Sequence, residues 1–251
     1  MMSRLLVLAA GYCARLSRAS IDFVCLEDVS ETIYDWRVHY PSSAGPALPS
    51  WRNEPVGHRY IYDYQFIVEN GNRTEKRRVL ELDGVKKEGE DTELDTQTFF
   101  YKNVMFGAVD LMAESRQSFY RYELKARESH GGQAVAVIEA VPIPGLAVAV
   151  NRGIIWIRES DGAILKIVWN DRMMQETEAI RETARRLKST PQILQVTEFG
   201  FEKNGVRFPN RFSIEEAYVN KKGKKSLRST LNVVYRDYKF FTVVVDTSVI
   251  K

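Results

Sequence analysis

The sequence predicts a mainly β, α+β protein: one strongly curved antiparallel sheet of about ten strands with two or three helices. Three observations carry this. Apolar and polar residues alternate over most of the chain, the mark of half-buried strands. Turn dipeptides such as Asn70-Gly71, Asp83-Gly84, Asp161-Gly162 and Asn204-Gly205 punctuate that alternation. No strand–helix–strand alternation appears. That excludes Rossmann and TIM architectures and leaves a sheet either open or closed into a barrel.

Residues 1–20 read as an N-terminal helix, from about Ser3 to Ser17, because Leu5, Leu8, Tyr12 and Leu16 recur at helical spacing. Leu5 to Ala10 also resembles a short signal-peptide core, but Arg15 and Arg18 follow at once and no small-residue cleavage site closes it. A first strand begins where Phe23 and Cys25 alternate with Val24 and Leu26, and it continues through Val29 and Ile33. Pro41, Pro46, Pro49 and Pro55 mark a loop over 41–57. Tyr60, Tyr62, Tyr64, Phe66 and Val68 then share one face of the clearest strand in the chain. Asn70-Gly71-Asn72 turns it into a return strand with Leu80 and Leu82, and an acidic loop runs on to Asp95. Residues 104–117 read as a helix with Met105, Ala108, Val109 and Met112 on one stripe.

Strands follow at Tyr120–Lys125, Ala134–Val141, Ile154–Arg158 and Ile164–Trp169. The last two form a hairpin about Asp161-Gly162, expected as a type I′ turn with φ above zero at both residues. A charged surface helix spans 175–188, with Thr177, Ile180, Ala184 and Leu187 inward and Pro191 ending it. Long strands are expected at 193–203 and 206–219, then along Leu227, Leu231, Val233 and Tyr235, and finally along Phe241, Val243 and Val245. Pro209 inside one of them points to an edge or a bulge. No repeat or low-complexity segment divides the chain, which reads as a single domain over 1–251.

Composition excludes several classes. Apolar residues make up 44% and charged residues 27%, and no apolar run reaches the length of an integral membrane span. Lys+Arg is 36 against Asp+Glu 33, and this unclustered +3 argues against a nucleic-acid partner. His39, His58 and His130 stand far apart, in no ligand spacing. No G-x-S-x-G, H-E-x-x-H, P-loop or C-x-x-C occurs, so neither an enzyme nor a metal or cofactor site is expected. Glu88, Glu90, Asp91, Glu93 and Asp95 match no calcium-loop spacing and read as a solvated loop. Lys221, Lys222, Lys224 and Lys225 read as a solvated turn.

Cys13 and Cys25 are the only cysteines. An even pair astride a helix–strand turn predicts a disulfide in an oxidising compartment; two buried thiols in a reducing one is the alternative.

The run Ile154-Ile155-Trp156-Ile157-Arg158-Glu159-Ser160-Asp161-Gly162-Ala163-Ile164-Leu165-Lys166-Ile167 resembles the V-W-I-D-x-x-D-G-x-I-L-K-I hairpin of outer-membrane lipoprotein-sorting proteins. These form the LolA/LolB-like superfamily, which also holds the periplasmic sensor RseB. Tyr235-Arg236-Asp237-Tyr238-Lys239-Phe240-Phe241 resembles the Y-x-D-Y-x-x-F ending of the same group, and the resemblance covers roughly residues 55–246. It implies an incomplete antiparallel barrel, helices plugging its open side, and an apolar cavity for acyl chains. The cysteine pair, the Pro-rich insertion and the charged helix depart from the chaperone's pattern.

A curved sheet must cover its apolar concave face, and 104–117 is the only strongly apolar helical stretch after the first. The expected cavity is therefore lined by Tyr62, Tyr64 and Phe66 from the wall, and by Met105, Val109 and Met112 from a plugging helix with deformable side chains. Ile143, Leu146 and Val148 lie in an unusually apolar connection, an expected contact loop. The leading expectation is a non-enzymatic, periplasmic or otherwise extracytoplasmic protein that binds a lipid or lipoprotein acyl chain. The alternative is an envelope sensor or assembly protein that binds another polypeptide through the apolar loop and a sheet edge.

Overall fold

The computed structural model describes residues 2–19, 23–39, 50–69, 72–87, 91–92, 94–145, 151–170 and 177–241. Helix α1 (Met2–Ala19) precedes two long strands, β1 (Phe23–His39) and β2 (Ser50–Glu69). β3 (Asn72–Leu82) follows, with the two-residue strands β4 (Val85–Lys86) and β5 (Asp91–Thr92). A 3-10 turn at Val104–Phe106 leads into α2 (Gly107–Met112) and α3 (Glu114–Gln117). A meander comes next: β6 (Tyr120–His130), β7 (Gln133–Pro142), β8 (Arg152–Arg158) and β9 (Ile164–Asn170). Helix α4 (Glu178–Leu187) precedes β10 (Ser189–Glu198), the short pair β11 (Phe201–Lys203) and β12 (Val206–Phe208), then β13 (Arg211–Asn220) and β14 (Lys225–Phe240).

All but β11 and β12 join one sheet in the order β4-β3-β2-β1-β14-β13-β10-β9-β8-β7-β6, with β5 also on β3. Every pairing is antiparallel. The sheet is curved and does not close, because its two end strands pair with nothing further among the described residues. It narrows at one place: β9 and β10 meet over four residue pairs, Gln195–Glu198 against Lys166–Trp169.

The core divides at that neck. Over β7–β9, α1 and α2 bury Tyr12, Leu16, Leu111 and Met112 against Ile138, Ile155 and Ile167. Over β1, β2, β13 and β14, the segment 94–106 and α4 bury Phe99, Tyr101, Met105 and Ile180 against Tyr62, Phe66, Phe212 and Val233. Val109, Tyr238 and Phe240 pack against both clusters.

Several expectations are corrected here. The short strands β4, β5, β11 and β12 raise the count from about ten to fourteen among the described residues. Of the Pro-rich loop 41–57, residues 41–49 lie outside the described residues, while Ser50–Val56 continue β2 and pair with Ile33–His39. Pro55 is tolerated because β3 reaches β2 only from Tyr60 onward, so its missing N–H breaks no ladder on that edge. The helix expected over 104–117 is broken at Ala113, whose ψ of 145° is extended. The two strands expected at 193–203 and 206–219 each break, at Phe199-Gly200 and Pro209-Asn210. There the Gly200 N–H donates to Asn210 Oδ1 at 2.6 Å, and the outer hairpin folds away as β11 and β12. Pro191 does not end a helix but sits in β10 opposite Tyr218, in the part of β10 that β9 does not reach.

Leu187 is exposed rather than inward, while Ile180 and Ala184 are buried as expected. At the 158–163 hairpin only Gly162 has positive φ, at 75°, so the turn is a longer loop closed by Arg158 and Ala163 and not type I′. The disulfide is also corrected: Cys13 and Cys25 are free, buried thiols. Helix α1 carries Cys13 onto α2, where Sγ donates to the Ala108 carbonyl at 3.4 Å, while Cys25 packs in the other cluster. The final strand expected at Phe241–Val245 falls mostly outside the described residues; the turn residues 70–71 and the acidic residues Glu88, Glu90 and Glu93 fall wholly outside them.

Candidate functional site

Strand β1 places Phe23, Cys25 and Val29 on the covered face, and its period of two puts Glu27 and Glu31 there as well. Both glutamates are almost fully buried, so each needs partners. Glu27 finds Arg77 of β3: Nε donates to Oε2 at 2.6 Å and Nη2 to Oε1 at 3.1 Å. The guanidinium lies 5.0 Å from the Tyr64 ring centre and 5.4 Å from that of Tyr101. Burial opposes the charge on Arg77, but the Glu27 carboxylate outweighs it and holds the guanidinium protonated.

Glu31 finds the chain itself. Segment 94–103 crosses the sheet as a strap, and the backbone N–H groups of Gln97 (2.9 Å) and Thr98 (2.7 Å) donate to Glu31, joined by the Thr98 hydroxyl. The strap is fastened again where Tyr101 OH donates to Glu27 at 3.2 Å, Asn103 N to Glu75 at 3.0 Å, and Asp95 N to the Tyr62 hydroxyl at 3.2 Å. Burial pushes the Tyr62 phenol up to about 12 and raises the Glu75 carboxyl. Leu94, Phe99 and Tyr101 point inward along the strap, and Phe100 is 53% exposed.

Between the strap and α4 lies a groove of about 570 Å³. The strap contributes Thr98, Phe99 and Phe100; α4 contributes Ala179, Ile180 and Thr183, and Thr177 stands just before its first turn. The floor is the sheet: Ile33 of β1, Glu216 of β13, and Arg228 and Ser229 of β14. Its lining is mainly hydrocarbon, with hydroxyls at intervals, the Glu216 carboxylate and the Arg228 guanidinium.

The expected cavity residues are placed differently. Tyr62, Tyr64, Phe66 and Met105 sit together in the first half's cluster, Met112 sits in the other, and Val109 touches both. None of the six lines the groove. Met112 is parted from the aromatic row because α1 and α2 cover β7–β9, whereas the strap covers β2. Of the expected contact loop, Ile143 is exposed and its N–H donates to the Phe119 carbonyl at 2.9 Å. Leu146 and Val148 lie outside the described residues. The groove residues themselves carried no motif. The legible signal was a pair of glutamates on the apolar face of β1.

No family model and no curated protein sequence matches the chain. Solved structures do resemble it at low identity. An outer-membrane lipoprotein-sorting protein domain from Vibrio parahaemolyticus is 11% identical, covering 95% of this chain and 93% of its own, with a TM-score of 0.40. A DUF1329 family protein from Desulfovibrio piger is 11% identical, covering 95% and 94%, with a TM-score of 0.38. A LolA superfamily protein from Nitrosomonas europaea is 14% identical, covering 92% and 94%, with a TM-score of 0.35.

Proposed function

We propose that this chain is a non-enzymatic, extracytoplasmic binding protein that holds a hydrophobic ligand, such as the acyl chain of a lipid or lipoprotein. The observation that supports it is the groove, whose volume lies in the range of small-molecule sites and whose walls come from Ile33, Phe99, Phe100 and Ile180. Each methylene removed from water contributes about 0.8 kcal/mol, so an alkyl chain is retained there without any catalytic group. Lifting the strap would extend the groove toward Tyr62, Tyr64 and Phe66, in whose cluster Met105 supplies a deformable side chain; Val109 borders that cluster and Met112 lies in the other.

An environment-sensitive alkyl probe tests the reading. Wild-type protein binds it, Ile180→Asp weakens binding at least tenfold by placing a carboxylate in the apolar wall, and Glu182→Gln on the exposed side of α4 leaves it intact. Failure of the wild-type protein to take up the probe replaces this reading with a polypeptide partner. The surface for that partner would be the outer edge of β6, which no described strand covers, together with the Ile143 loop.

A further inference from the structure

We infer that the groove takes an amphiphile bearing a protonated amine, with Glu216 as the residue that receives the amine. The inference rests on the groove being a site for a hydrophobic ligand.

Glu216 is 9% exposed and lines the groove. Its presence there is built into the strand. β13 alternates regularly here, so Phe212, Ile214, Glu216 and Tyr218 share the buried face, and the one-residue slip of its ladder with β14 falls on Arg228 of β14. Glu215 follows the ordinary alternation and pairs with Lys225 at 2.5 Å instead. Alternation thus places one carboxylate of an adjacent pair on the groove side of the sheet.

The other buried glutamates among the described residues either pair with a cation or, in Glu31, accept three donors from the strap. Glu27 has Arg77, Glu139 has Arg152 and Lys125, and Glu31 accepts two backbone N–H groups and a hydroxyl. Among the described residues, Glu216 receives two neutral donors: the Ser229 hydroxyl at 2.9 Å and the Tyr218 hydroxyl. A carboxylate has about four lone-pair sites, so these two donors leave about two of them unused. Arg228 lines the same groove, but it forms no ion pair with Glu216, and its Nη1 donates to the Tyr34 carbonyl at 2.7 Å. A buried carboxylate without a cation is costly, and a ligand ammonium offsets that cost in a way an alcohol or a fatty acid does not. The alkyl part of the same ligand has Phe99 and Ile180 to lie against.

The test displaces the alkyl probe, at pH 7 and below micelle-forming concentrations, with dodecylamine, dodecanol or dodecanoic acid. The expected order is amine first, by about tenfold over the alcohol, and the acid last. Glu216→Gln, which keeps partners for Ser229 and Tyr218, brings amine and alcohol to parity. Dodecanol binding without an amine preference in the wild-type protein overturns this inference alone. An amine preference that survives in Glu216→Gln does the same. Failure of all three ligands overturns the groove reading and this inference with it. The wild-type comparison decides the matter even if the variant does not fold.

Discussion

Glu27 and Arg77 form an ion pair sealed between the sheet and the strap, with side chains 0% and 7% exposed. Such a pair contributes little beyond an apolar replacement, yet removing one partner strands the other's charge. Arg77→Met should therefore destabilise the protein by about 3–5 kcal/mol in urea denaturation, whereas the double replacement Glu27→Leu with Arg77→Met should recover most of that loss. A double variant no better than the single one would show that the strap needs the charges themselves. A second residue sets part of the acid response. The paired hydrogen bonds from Arg158 to Asp161 hold that carboxyl below the usual aspartate range. A depressed carboxyl stabilises the fold above its unfolded value of about 3.9, and that contribution is lost as pH falls through the folded value. Asp161→Asn should flatten the stability curve between about pH 4 and the folded value while leaving its slope near pH 7 unchanged, as read from denaturation midpoints across pH.

The 158–163 hairpin meets α1 tightly. A Cβ on Gly162 would stand 2.3 Å from the Leu8 carbonyl carbon and 2.6 Å from the Ala9 nitrogen, both backbone atoms of α1. Together with a φ of 75°, this makes Gly162→Val a change the helix must move away from. The expected loss exceeds about 1 kcal/mol, and because Cys13 faces α2 from α1, its labelling in the folded protein should accelerate as α1 lifts. Unaltered Cys13 labelling would mean that the hairpin yields instead of the helix. The strap makes a parallel case. Glu31→Gln exchanges an acceptor of three donors for an amide with one acceptor oxygen, so amide exchange at Gln97 and Thr98 should rise at least tenfold while the β1–β2 ladder stays protected.

Much at this scale was legible. The strand around Tyr60–Phe66, the helix over 1–20 and the hairpin between Trp156 and Trp169 follow from periodicity and turn residues alone. What escaped was set by long-range partners. The break at Pro209 depends on Asn210 reaching Gly200, and the strap depends on carboxylates more than sixty residues earlier, so neither leaves a local pattern. The groove escaped for the same reason, since it forms where α4 and the strap are laid over a shared floor. Glu27 and Glu31 were visible as misfits on an apolar face, a sign of buried partners that the period-two reading passed over.

At the scale of the whole molecule, one open sheet carries two cores, and the question is whether they behave as one. Two features tie them together: the sheet is continuous through the four pairs between β9 and β10, and Val109, Tyr238 and Phe240 pack on both sides of the boundary. The two cysteines sit one in each core and report on them separately. Burial pushes the Cys13 thiol up to about 12 and raises that of Cys25 as well, so neither reacts appreciably in the folded protein, where the thiolate is the reactive form. Unfolding of either core frees its own thiol. We propose that the chain unfolds as a single cooperative unit, because loss of one core strips the shared aromatic residues from the other. Labelling under increasing urea should then expose Cys13 and Cys25 at the same midpoint, with two thiols titrating per fully unfolded, unreduced chain. The single-cysteine variants Cys13→Ala and Cys25→Ala assign each signal. If Cys13 becomes reactive at a urea concentration where Cys25 is still protected, the four-pair neck is a boundary between two independently folding units.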